Sequence, residues 1–250
     1  VRFRGTNLGA ATITGTTPSA NNANIFFASP TNLSLTGTAS SNNNNQIVER
    51  QIVPYAIGGA TATSSGTDWV TYNFNSTNFT ATTVGIRPLS AGEYTANSFN
   101  TGNSNADNAL VNTSVTASKT RNLNSFSISS DGTNITTFSL AANSFNLGAG
   151  SFLSTNNGSV TVNNITGGSV TFNQQGTVFA SGTNTLNIGS DGTTVTATTL
   201  TGTAGVVLTG GGTFTIGSAP TLTGGIFVNN GTLKPLAANV LNGASNALSL

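Results

Sequence analysis

Six carboxylates, Glu49, Asp68, Glu93, Asp107, Asp131 and Asp191, are the only acids in a chain of 250 residues that holds neither His nor Cys. Without an imidazole or a thiol, Ser-His-Asp and Cys-His catalysis and His- or thiolate-ligated metal sites are excluded from this sequence. Glycoside cleavage needs two carboxyl groups about 5 to 10 Å apart, and no two of the six lie close in the chain. Asp131 and Asp191 each sit in a Ser-Asp-Gly-Thr segment. There an Asp side chain accepts hydrogen bonds from turn backbone, so both are read as turn residues. No catalytic residue, no metal ligand set and no cofactor site is expected, and the chain is read as not an enzyme.

The residues best suited to touching a ligand are aromatic. Trp69 is the only Trp, and Tyr55, Tyr72 and Tyr94 are the only Tyr, with Phe74 and Phe79 between them. Amphipathic rings suit the faces of sugars, which makes Tyr55, Trp69, Tyr72 and Tyr94 the candidate ligand contacts. The competing reading is that these rings pack their own segment against the rest of the protein.

Composition dictates the elements that must position these rings. Thr, Asn, Gly and Ser make up about 55% of the residues, a bias shared by turn-dense β structure and disordered tracts. Val, Ile, Leu and Phe reach about 24%, above the roughly 20% below which chains tend to stay unfolded. With a net charge of +1, nothing drives the chain open. Charged residues are only 5%, so there is no basic footprint for nucleic acid and no polybasic patch for a membrane surface. No apolar run is long enough to span a bilayer. Because it opens on Val1 and contains no Met, the chain reads as a piece of a longer polypeptide.

Short alternating apolar runs recur between Gly-led turns about ten residues apart, at Gly158, Gly168, Gly182, Gly192, Gly202 and Gly212. Val160–Val162, Val170–Phe172, Thr185–Ile188, Val206–Leu208 and Thr213–Ile216 each read as a strand. Ile128–Leu140 matches Ile188–Leu200 sixty residues later, read as three coils of about 20 residues. This rhythm fits an all-β right-handed parallel β-helix or, alternatively, an antiparallel β-sandwich. Charge depletion favours the β-helix. Its stacked coils place equivalent residues about 4.8 Å apart, where like charges cost roughly 1 to 3 kcal/mol per pair, whereas Asn, Thr, Val and Ile stack on themselves. The expected organisation is an N-terminal β segment over 1–45, an aromatic and charged excursion or cap over 46–110, and β-solenoid repeats over 111–250. The Asn42–Asn45 run reads as a loop before the excursion. Arg2 and Arg4 give the N-terminus an alternating strand with two cations. The C-terminus, without charge or Pro after Asn239, offers nothing to blunt an exposed strand edge.

One stretch carries a family resemblance. From Gly211 to Lys234, with Thr223-Gly224-Gly225 and Asn230-Gly231-Thr232-Leu233, the chain resembles the autotransporter-associated β-strand repeat. It departs from that pattern at Leu222, where Tyr is commoner, and at Asn230, where Ala is commoner. Ile52–Gly58 and Gly85–Tyr94 resemble segments that precede the repeat in very large surface proteins of environmental bacteria. The resemblance implies a β-helical, passenger-like region exported to the cell surface, and it carries over no catalytic residue.

The functional expectation is a non-catalytic extracellular module: a segment of a surface stalk, fibre or adhesin, partnered with more of itself, end to end or as covalent repeats, and with cell-surface glycans as ligands. The alternatives are a β-helical polysaccharide lyase or hydrolase, which needs clustered carboxylates in a cleft, and a carbohydrate-binding module, which needs exposed rings.

Overall fold

The computed structural model describes residues 1–10, 22–27, 33–37, 51–64, 66–73, 85–96, 107–156, 158–238, 240–241 and 248–249. The Asn42–Asn45 run, Glu49, Arg50, Phe74 and Phe79 lie outside these residues. The protein is all-β, and among the described residues the only helical element is a 3-10 turn at Ala91–Glu93.

Two sheets form. In the smaller, β1 (Arg2–Arg4) pairs parallel with β2 (Ile57–Gly59), and β3 (Asp68–Asn73) and β4 (Gly85–Pro88) follow antiparallel. The larger holds fifteen strands. They are β5 (Thr95–Ala96), β6 (Asn108–Val111), β7 (Val115–Thr116), β8 (Arg121–Ser129), β9 (Thr136–Thr155), β10 (Val162–Phe172), β11 (Gly176–Ala180), β12 (Thr185–Ile188), β13 (Thr199–Gly202), β14 (Val206–Thr209), β15 (Thr213–Ile216), β16 (Thr221–Leu222), β17 (Ile226–Val228), β18 (Thr232–Pro235) and β19 (Leu248–Ser249). Every pairing between these strands is parallel. An antiparallel sandwich therefore does not describe this sheet.

The parallel pairings fall into three rows. Row one runs through β7, the start of β9, the start of β10, β12, β15 and β18. Row two joins the start of β8 to the middle of β9, the end of β10, β13 and β16. Row three joins β5, β6, the end of β8, the end of β9, β11, β14, β17 and β19. The long strands β9 and β10 take part in more than one row because they bend. At the bend in β10, Gly167 and Gly168 have φ of 67° and 56°, and a Cβ on Gly168 would lie 2.1 Å from the Asn143 carbonyl oxygen. Only glycine fits that corner.

Stacked partners in row three run Phe126, Phe152, Val178, Leu208 and Val228, so the interval from one circuit to the next is not constant. Most circuits are longer than the Gly rhythm implies. The sixty-residue match is not a match of position either: Ile128 stands in row three and Ile188 in row one. What repeats there is one local turn placed at two different corners.

Inward-facing residues of the rows form one apolar core. Row one contributes Phe138, Ile165, Ile188 and Ile216, row two Phe145, Val170 and Leu200, and row three Phe126, Phe152, Val178 and Leu208, all buried. Phe126 meets Phe138, Phe145 and Phe152 at ring-centroid distances of 5.4, 4.6 and 5.1 Å. One ring from each row closes on it, in the tilted and edge-on contacts that aromatic quadrupoles prefer.

Polar residues stack as well. Asn187 donates to the Asn164 side-chain carbonyl at 2.8 Å, Asn164 donates to the Thr137 hydroxyl at 3.2 Å, and the Thr215 hydroxyl donates to Asn187. Asn164, Asn187 and Thr215 are all buried, so the ladder is shielded from water. Replacing Asn187 by Ala strands two buried partners, each worth about 1 to 3 kcal/mol. The expected loss is about 2 to 6 kcal/mol in urea unfolding. In row two the Thr201 hydroxyl donates to Thr171 at 2.9 Å from a half-buried position, and Thr201→Val should cost under about 1 kcal/mol, because water replaces the lost partner. Equal losses for the two variants would contradict the shielding.

The outer edge of row one is blunted. Its last strand, β18, carries Lys234 and Pro235. Pro has no N–H to offer a further strand, and a Lys on an edge opposes pairing. Both devices lie a few residues before Asn239, outside the terminal stretch for which none is expected.

Candidate functional site

The smaller sheet lies against the outer face of row three. Alternation along β3 sends Trp69 to one side and Val70 to the other. Trp69 joins Ile52, Ile57, Leu89 and Tyr94 against Leu153 and Phe179 of row three, and its ring meets Phe179 edge-on at 5.7 Å. Val70 joins Leu8, Val53, Ala56 and Ile86 on the opposite face. A bidentate ion pair fastens the end of this sheet: Arg87 donates to both Glu93 oxygens at 2.5 and 2.6 Å, and Glu93 also accepts from the Ser90 amide at 2.9 Å.

The four candidate rings are therefore not gathered into one solvent-facing platform. Trp69 is fully buried and Tyr94 is 4% exposed, so packing claims both. Tyr72 is half-buried, its ring 5.7 Å from Phe27 and its hydroxyl accepting from the Phe27 amide at 3.3 Å. Tyr55, at 41% exposure, is the one of the four that presents its ring to solvent.

The Tyr94 hydroxyl accepts from the Trp69 amide at 3.2 Å and donates to Asp68 at 3.4 Å. Burial, and then the Asp68 carboxylate, push the Tyr94 phenol well above its ordinary value; burial also raises Asp68, against hydrogen bonds from Thr67 and Tyr94. A raised acid keeps its proton in the fold after the unfolded chain has released it. Stability from each is therefore full below the ordinary value and falls as pH rises through the raised one, in the acid range for Asp68 and the alkaline range for Tyr94. In an alkaline absorbance titration, the tyrosinate signal of Tyr94, taken as native protein minus Tyr94→Phe, should be absent at about pH 10, the ordinary phenol value, and appear only with unfolding. A signal that grows near pH 10 while the fold persists would place the ring in water.

Each described carboxylate has a structural partner. Besides Asp68 and Glu93, Asp107 lies 3.8 Å from the Arg121 guanidinium. Arg121 is 1% exposed and pairs in register with Phe145, at the end of the inward-facing line of row two. Burial lowers the guanidinium from its ordinary value and Asp107 works against that shift. Asp131 accepts from the Asn134 side-chain amide at 3.0 Å and from the Asn134 and Thr133 backbone amides, and Asp191 from the Thr194 and Thr193 backbone amides. These hydrogen bonds hold both carboxyls below the usual range. Among the described residues no three of His, Cys, Asp and Glu group as a metal site.

One cleft lies outside the expectations drawn from sequence. It measures ≈ 400 Å³ and lies where β1 meets the ends of β14 and β17, lined by Arg2, Arg4, Phe179, Thr209, Asn229 and Asn230. Arg2 and Arg4 are two residues apart on one strand, so both project from the same face, opposite the half-buried Phe3. Arg2 reaches toward the Gly210 carbonyl oxygen at 3.5 Å. The Arg-x-Arg alternation is visible in the sequence; its opposite wall, drawn from the other end of the chain, is not.

Compared with known proteins, the chain matches no family model, no curated protein and no solved structure.

Proposed function

We propose that this chain is a non-catalytic structural or adhesive module of an extracellular surface stalk, fibre or adhesin, folded as a right-handed parallel β-helix. The observation that carries the reading is the set of three in-register parallel rows around one core. Strand-crossover-strand units in a parallel sheet are right-handed in about 98% of cases, which supplies the hand. Such a stack is quasi-one-dimensional: each circuit is stabilised mainly by the circuits above and below it, so length can be added without redesign. That suits a spacer better than an enzyme, and the engagement of every described carboxylate in a turn, an ion pair or a Tyr contact points the same way. The resemblance of Gly211–Lys234 to the autotransporter-associated repeat favours export to the bacterial cell surface. Other copies of the chain are the proposed partners, stacking through rows two and three, since row one closes on Pro235.

Sedimentation and negative-stain electron microscopy of the purified protein over a range of concentrations test this reading. Thin rods that lengthen with concentration are the expected result. A compact monomer throughout, together with release of soluble sugars from a panel of polysaccharides, would overturn it.

A further inference from the structure

We infer that the cleft between β1 and the ends of β14 and β17 is a binding site for an anionic saccharide, a sugar chain bearing carboxylates or sulfates. This deepens the adhesive half of the function proposed above. The first ground is charge. The sequence has only thirteen charged residues among 250, and of the described arginines two are matched to carboxylates, Arg87 to Glu93 and Arg121 to Asp107. The remaining two, Arg2 and Arg4, are exposed, stand on the same face of β1 and line this one cleft, which no carboxylate among the described residues also lines. A guanidinium presents a planar fork of donors that fits carboxylate and sulfate oxygens.

The second ground is what surrounds the cations. The Asn229 and Asn230 amides and the Thr209 hydroxyl supply neutral donors and acceptors of the kind sugar hydroxyls need. Phe179 lies at the base of the cleft, with only 4% of its surface exposed. It is also the ring that Trp69 packs against, so the cleft stands on the rigid seam between the two sheets. The volume of ≈ 400 Å³ falls within the range of small-ligand sites. A polynucleotide would need a basic surface extending beyond the cleft, and a net charge of +1 supplies none.

Isothermal titration with a galacturonic acid hexamer tests the assignment, with a galactose hexamer, inorganic sulfate and a single-stranded oligonucleotide as comparisons. Saturable binding of the uronate hexamer is expected, weakening as salt is raised. Arg2→Ala and Arg4→Ala should each weaken it about 5- to 10-fold, the scale of one charge-assisted contact. Asn230→Asp, at an exposed position, should weaken it at least as much by placing a like charge in the cleft. Lys119→Ala, exposed and outside the cleft, should leave it unchanged. Three results would overturn the assignment: no saturable uronate binding, undiminished binding by the doubly substituted arginine variant, or equal affinity for galactose hexamer, sulfate or oligonucleotide. The stacking proposed above runs through the backbone edges of rows two and three, so failure here leaves the sedimentation result, and the structural half of the proposed function, standing.

Discussion

Ile188→Asp is expected to prevent folding at neutral pH. Ile188 is fully buried in row one, paired in register with Ile165 on one side and Ile216 on the other. An Asp there loses the burial of the Ile side chain, about 1.5 to 3 kcal/mol, and must then either bury an unpaired charge or take up a proton. The sum exceeds about 4 to 5 kcal/mol, beyond what most substitutions cost and comparable with a typical domain's whole stability of about 5 to 15 kcal/mol. Circular dichroism should show loss of the β signal. Lowering the pH below the carboxylate range should restore part of it, because the neutral side chain is less costly to bury. Ile188→Val, which removes one methyl group, should cost only about 0.5 to 1.5 kcal/mol. If Ile188→Asp folded at neutral pH with near-normal stability, the inward placement of row one would be wrong.

The second large effect is expected at the seam. Trp69→Ala should free the smaller sheet from row three at a cost of about 3 to 5 kcal/mol, the usual penalty for deleting a buried large aromatic. The full side chain is buried against Phe179, and no covalent cross-link holds the sheets together, since the chain has no Cys. Native-state hydrogen exchange resolves the outcome strand by strand. Amides of β3 and β4 should exchange much faster in the variant, while those of β9, β10 and β12 keep their protection. Uniform acceleration across both sheets would instead make the protein a single cooperative unit.

These effects bear on how much can be read in advance. Alternation of period two identifies the strands around Val170, Ile188, Leu208 and Phe214 and their inward faces, because the pleat forces that pattern whatever the partner. Partners are another matter. The circuits differ in length and have no fixed period, so spacing does not tell which strand stacks on which. The sixty-residue match misleads for this reason: Asp131 and Asp191 make the same local hydrogen bonds at different corners. Phe138, Phe145 and Phe152 stand seven residues apart, and that spacing is a legible signal, one ring for each row of a single circuit. The aromatic group at 55–94 is recognisable as a cluster, but its exposure depends on long-range docking. Trp69 is buried by Phe179, from a strand far along the chain, while Tyr55 at a turn is not covered. Arg2 and Arg4 likewise acquire their meaning only when Asn229 and Asn230 are folded opposite them.

The row-by-row stacking also governs how the protein would respond to force. Consecutive circuits are joined by the chain itself, so a pull on the C-terminal end loads the outermost circuit first, and its parallel strand pairings give way before the next is strained. The molecule would lengthen in discrete steps, like thread drawn from a spool. At about 3.3 to 3.6 Å per extended residue, a circuit of about 20 residues releases about 70 Å and one of about 30 residues about 100 Å. Unequal circuits, which obscure the repeat in the sequence, thereby become a graded series of extensions.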